Sequence, residues 1–97
     1  MEFKQYENVT CLYENNLPVG YVTVHKNKIT SLEAFPRKQG FGTALLQEAE
    51  KQMADNGYTQ SHVMSIMDTE EFYAKNGYKP SNIFQSLWNG CNLVKQI

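Results

Sequence analysis

Cysteine is almost missing from this chain of 97 residues: Cys11 and Cys91 are the only two. They lie far apart and form neither a CxxC pair nor a metal-ligand spacing, which excludes a disulfide scaffold and predicts no metal. Two unpaired thiols suit a reducing, cytoplasmic setting. No apolar run approaches the ~18–20 residues that span a bilayer, and "MEFKQYENVTCLYENN" lacks a signal-peptide core, so no membrane partner is expected. Excess charge is missing too. A net charge of −1 leaves no basic field for nucleic acid, and none is expected as a partner. Three prolines and six glycines are too few for a linker or low-complexity tract, and no repeat occurs, so residues 1–97 read as one domain.

What is present is strongly patterned. Val9 to Glu14 reads as a short strand, and Asn15-Asn16 as a turn. "VGYVTVH", residues 19–25, is rich in β-branched and aromatic residues, and Lys26-Asn27-Lys28 turns the chain into "ITSLEAF", residues 29–35. Three strands on short polar turns make an antiparallel meander, which Pro36 ends. A helix is predicted from Thr43 to Asn56. Leu45, Leu46, Ala49 and Met53 form its apolar stripe, while Gln47, Glu50, Lys51 and Asp55 face away. "YTQSHVMSI" follows as a strand, which makes a parallel crossover with the strand before the helix. "DTEEFYAKNG" reads as a second helix, capped by Asp68 and closed by Asn76-Gly77. Asn89-Gly90 sits between two β-prone runs and predicts a C-terminal hairpin. The fold class is α/β with a mixed sheet.

The junction "EAFPRKQGFGTALLQEAE" carries the first chemical signal. A helix start exposes unpaired N–H groups and attracts anions. Gly40 and Gly42 remove Cβ atoms from the approach, and Arg37 and Lys38 add two cations. A Walker loop is excluded because Thr43-Ala44 replaces its Lys-Ser/Thr, and a dinucleotide fingerprint because Leu45 replaces its third glycine. On the residues alone, a glycine turn with solvated cations explains the same letters equally well.

Two motifs in order point further. Arg37-Lys38-Gln39-Gly40-Phe41-Gly42 resembles the R/Q-x-x-G-x-G/A signature of the GNAT superfamily of acyl-CoA-dependent N-acyltransferases. Phe72-Tyr73-Ala74-Lys75-Asn76-Gly77-Tyr78 is similar to that family's second signature, one helix and one strand later. The resemblance implies acetyl-CoA as cosubstrate. Its pyrophosphate would lie on the amides from Gln39 through Gly40, Phe41 and Gly42 to Thr43, beside Arg37 and Lys38. Its pantetheine would run along the strand of Leu32 and Ala34, where the sheet splays, with Phe72 and Lys75 also at the cofactor. Tyr73 would protonate the departing thiolate; packed on the core side of a short helix, the same residue has an ordinary structural use.

An attacking amine must lose a proton, and a lysine starts near pKa ~10.4. Relatives often carry Glu or His at places held here by Lys26 and Lys28. Glu33 is the nearest carboxylate on the cofactor strand and the candidate base, although a solvated strand carboxylate looks the same in sequence. His25 and His62 are weaker candidates, since a lone strand histidine is commonly structural. Ile66 stands where relatives often have Asn. Family members usually begin with a strand and two helices that wall the acceptor site, whereas this chain reads as starting near the following strand. The acceptor side is therefore expected to be open, or completed by a second subunit in a homodimer. An open site suits a lysine or N-terminal amine on a protein partner better than a small-molecule amine, which needs enclosure. The contrasting reading is a non-catalytic acyl-CoA-binding module.

Overall fold

The computed structural model describes residues 1–36, 40–65 and 69–97. Seven strands form one mixed sheet in the order β1-β2-β3-β4-β5-β7-β6. The first four, β1 (Glu2–Tyr6), β2 (Val9–Glu14), β3 (Leu17–His25) and β4 (Lys28–Ala34), make an antiparallel meander. Asn15 and Asn16 both take positive φ, 53° and 67°, as a two-residue hairpin turn matched to strand twist demands. Strand β1 was not legible as a strand. All five of its residues are exposed, so no alternation of burial marks it. Only two residues, Glu7 and Asn8, separate β1 from β2. No helix stands between these two strands.

Helix α1 (Phe41–Asp55) covers one face of the meander and buries Leu45, Leu46, Ala49 and Met53. These meet Leu12, Val22 and Ile29 in the core. The apolar stripe predicted from spacing is the buried one. Glu50 departs from that prediction: it turns inward, where Lys95 Nζ lies 3.0 Å from its Oε1 and the Tyr78 hydroxyl donates to its Oε2 at 2.9 Å. A carboxylate only accepts, so the phenol's remaining bond, 2.7 Å to Ser61, takes the serine's proton. Burial is the main cause pushing the Tyr78 pKa up, and Glu50 adds to it. This network ties α1 to β5 (Gln60–Val63), to β7 (Leu93–Gln96) and to the segment after α2 (Glu70–Lys75). Tyr78→Phe strands a buried serine hydroxyl and half of a carboxylate's hydrogen bonding, which costs about 1–3 kcal/mol. Thermal unfolding should show a fall of about 4–8 °C for each kcal/mol lost.

The C-terminal hairpin requires correction. Strands β6 (Lys79–Pro80) and β7 do pair antiparallel, but helix α3 (Ile83–Asn89) joins them. Ser86 N–H bonds Asn82 O at 3.0 Å and Gly90 N–H bonds Ser86 O at 2.9 Å, so Asn89-Gly90 ends a helix instead of turning a hairpin. Gly90, at φ 73°, is the left-handed stop. Asp68 as cap of α2 and Ile66 lie outside the described residues.

Candidate active site

The sheet opens at its parallel pair. Strands β4 and β5 pair only through Lys28 with His62 and Ile29 with Val63. At that point β4 bulges: Thr23 faces Ser31 and Val24 faces Ile29, leaving Thr30 with no opposite residue. Bulges bend a strand away from its neighbour. Beyond the bulge, Leu32, Glu33 and Ala34 stay paired with Val22, Tyr21 and Gly20 of β3. No strand pairs with their other edge among the described residues. Backbone donors and acceptors on that edge are open to a ligand. Leu32 and Ala34 sit half-buried against the core, while Glu33 is exposed.

At the wide end of this wedge stands the start of α1. Gly40 is its N-cap at φ 79°, with no side-chain cap and no acid in the first turn. The first helical bond runs from Ala44 N–H to Gly40 O at 3.0 Å. The amides of Phe41, Gly42 and Thr43 therefore precede the ladder, at the positive end of the helix. The two glycines have different reasons. A Cβ on Gly40 would meet nothing within 4 Å, so its backbone angle alone asks for glycine. A Cβ on Gly42 would stand 3.3 Å from both Cε1 and Cζ of Phe72. Gly42 thus seats α2 against α1, one residue from Tyr73. Arg37, Lys38 and Gln39 lie outside the described residues. Gly40→Val forces a β-branched residue into the left-handed region and should cost about 1–2 kcal/mol of stability. Calorimetry should show weaker CoA binding, because the turn that presents the amides has moved.

Tyr73 lies in α2 and is 6% exposed. Phe72 and Tyr78 hold it edge-on, with ring centroids 5.1 and 5.5 Å away. No hydrogen bond reaches its hydroxyl among the described residues. Burial, with the Glu33 carboxylate as a second cause, pushes the phenol up to about 12. Tyr73 and Glu33, the two predicted catalytic residues, are thus close enough to act on each other electrically. Lys75 is exposed and pairs with Glu71 at 3.3 Å, away from the core.

Residues 1–95 match the family described as Acetyltransferase (GNAT) domain. The chain belongs to this family. Its fold is similar to a GCN5-related N-acetyltransferase from Rhodopseudomonas palustris, at 22% identity over 92% of this chain and 61% of that one, with a TM-score of 0.76. It is similar to the PaiA N-acetyltransferase of Thermoplasma acidophilum, solved with coenzyme A, at 22% identity, 92% and 60% coverage and a TM-score of 0.71. Tetrahymena GCN5 matches at 15% identity, 92% and 67% coverage and a TM-score of 0.73. The chain spans about three fifths of the length of the first two. No curated protein matches it by sequence.

Within this GNAT domain, His62 is held in one tautomer. Asn89 Oδ1 accepts from Cys91 N–H at 2.8 Å, which turns the amide NH₂ toward His62 Nδ1 at 3.1 Å. Nδ1 therefore accepts, and the proton of the neutral ring sits on Nε2. A ring so bound has no free lone pair with which to take a proton from an amine. Burial lowers the His62 pKa below 6.5. The unfolded chain then binds a proton that the folded chain refuses, so stability is complete above pH ~6.5 and falls as the pH drops through the folded value. Denaturant melts from pH 7.5 to 5 should show this slope, and His62→Gln should flatten it. His25 is exposed at the end of β3.

Glu33 looks onto an open groove of about 510 Å³ whose wall includes Cys11, Tyr21 and Phe35. Phe35 is 79% exposed. The aromatic pair was not singled out from sequence. The signal was nonetheless there, since the hairpin register sets Tyr21 opposite Glu33.

Proposed function

We propose that this domain is an N-acetyltransferase that moves an acetyl group from acetyl-CoA to a primary amine, a lysine side chain or N-terminus presented by a protein. One observation carries the reading: β4 loses its parallel partner after Ile29, beside a helix start with no side-chain cap and no acid. The residues present fit the cosubstrate. The amides of Phe41, Gly42 and Thr43 would hold its pyrophosphate, and the open edge at Leu32 and Ala34 its pantetheine amides. Acetyl-CoA supplies an acyl group on a thiol leaving group. Tyr73 keeps its proton at neutral pH and donates to the sulfur as negative charge develops there. Glu33 takes the proton of the attacking amine, directly or through water. Its carboxylate also draws a cationic amine into the groove, where Tyr21 and Phe35 offer aromatic faces.

The acceptor class follows from shape. Two residues, Glu7 and Asn8, join β1 to β2 where the family resemblance implies two helices, and the groove at Glu33 is lined, among the described residues, by β2, β3, β4 and Phe35, with no helix in its wall. A small amine gains little from so open a surface, whereas a protein brings its own. The test is release of free thiol from acetyl-CoA in the presence of lysine-containing peptides, peptides with free N-termini and small amines. Release with peptides that exceeds release with small amines supports the reading; the reverse order assigns a small-molecule acceptor. The second reading, a non-catalytic acyl-CoA-binding module, draws on the locked His62 and on Lys28, whose Nζ is tied to Asn89 O at 2.9 Å. It predicts binding of acetyl-CoA with no thiol release for any acceptor.

A further inference from the structure

Helix α3 is built inside out for a lone domain. Its sheet side carries Ser86 and Asn89, and Asn89 alone bonds His62, Lys28 and Cys91. Its outer side carries Ile83, Phe84, Leu87 and Trp88, exposed by 68, 79, 78 and 91%. At helical spacing these four share one face of about 140°. Monomers seldom leave such a face uncovered. At those exposures the four side chains present on the order of 600 Å². That is most of the ~800 Å² that each partner gives to a standard interface.

We propose that this face is the interface of a two-fold dimer, in which α3 of one copy packs antiparallel on α3 of another. The spacing is self-complementary. Pairs 83 with 88 and 84 with 87 share one midpoint, between residues 85 and 86, so a two-fold axis there brings both pairs into register. Antiparallel packing also sets the opposed helix ends against each other. No charged residue occurs from Ser81 to Val94, so a copy meets no like-charge repulsion, while a charged partner finds nothing to pair with. An anionic lipid surface would look for Lys or Arg on the helix flanks, and α3 has neither. The short, polar attachment on the inner side keeps the helix fixed to the sheet, so the apolar face cannot fold back onto its own core.

Light scattering on the full chain tests this. The mass should be twice the 11.2 kDa of one chain at high micromolar concentration, and Leu87→Glu/Trp88→Glu should halve it while circular dichroism and CoA binding stay unchanged. A wild-type mass of one chain throughout, or a doubly substituted protein that remains dimeric, overturns the proposal. The measurement does not depend on that variant folding. Trp88 is the only tryptophan, so wild-type emission should shift to the red on dilution as the indole returns to water. Emission that stays that of a solvated indole at every concentration also overturns it. Binding of the wild type to neutral or anionic vesicles, with no self-association, would assign the face to a membrane instead.

Discussion

Replacing Tyr73 by phenylalanine is expected to lower kcat/KM by about 100-fold or more, the usual yield of a positioned proton donor. Stability should change little. The hydroxyl has no hydrogen-bonding partner to leave stranded among the described residues, and the ring, held between Phe72 and Tyr78, keeps its shape. CoA affinity should be retained, which separates a lost transition-state contact from a lost ground-state one. A phenol pushed up to about 12 is a weaker acid than a free thiol near ~8.5, so its part is a hydrogen bond that strengthens as charge builds on sulfur. The wedge that dries the phenol raises the thiol's pKa as well, narrowing the gap. Activity should therefore show no loss from phenol ionisation up to pH ~11. Steady-state rates with wild type and variant across pH check both points. An unchanged rate in Tyr73→Phe removes this residue from the chemistry.

Glu33→Gln is the second substitution with a large expected effect, again about 100-fold at neutral pH. Glutamine keeps the size of the side chain and cannot accept a proton. A lysine amine, with a pKa near ~10.4, is almost wholly protonated at pH 7 and depends on the base; near pH 10 it sheds the proton unaided. The defect should thus shrink as pH rises. A defect that is constant with pH assigns Glu33 to binding the amine instead. A second readout is independent of turnover. Because the Glu33 charge helps hold the Tyr73 proton, the ultraviolet titration of Tyr73 should move down toward the ordinary phenol value in this variant. Burial is the larger cause and remains, so most of the elevation should persist.

The parts of the fold with a period were readable in advance. Leu45, Leu46, Ala49 and Met53 announce which face of α1 is buried, and the asparagine turn after β2 announces the meander. Gly40 and Gly42 announce where α1 starts, and Gly42 also turns out to make room for Phe72. What was hidden lacks a local signature. Strand β1 is held only by pairing with β2 and has no buried side. Glu50 reads as solvent-facing on the wheel, and only the chain's return through Tyr78 and Lys95 brings it partners. The tail was misread by precedence: Asn-Gly between apolar runs is a hairpin signal, yet Ile83, Phe84, Leu87 and Trp88 have helical spacing, and Gly90 serves equally as a helix stop. The Asn89–His62 lock joins residues 27 apart and depends on that helix, so no motif could show it.

The most direct test of the account is calorimetric titration of folded protein with CoA and acetyl-CoA. The account predicts saturable heat with both at one ligand per chain, reduced in Gly40→Val and retained in Tyr73→Phe. Absence of heat with either ligand, on protein whose circular dichroism shows the mixed fold, would contradict it.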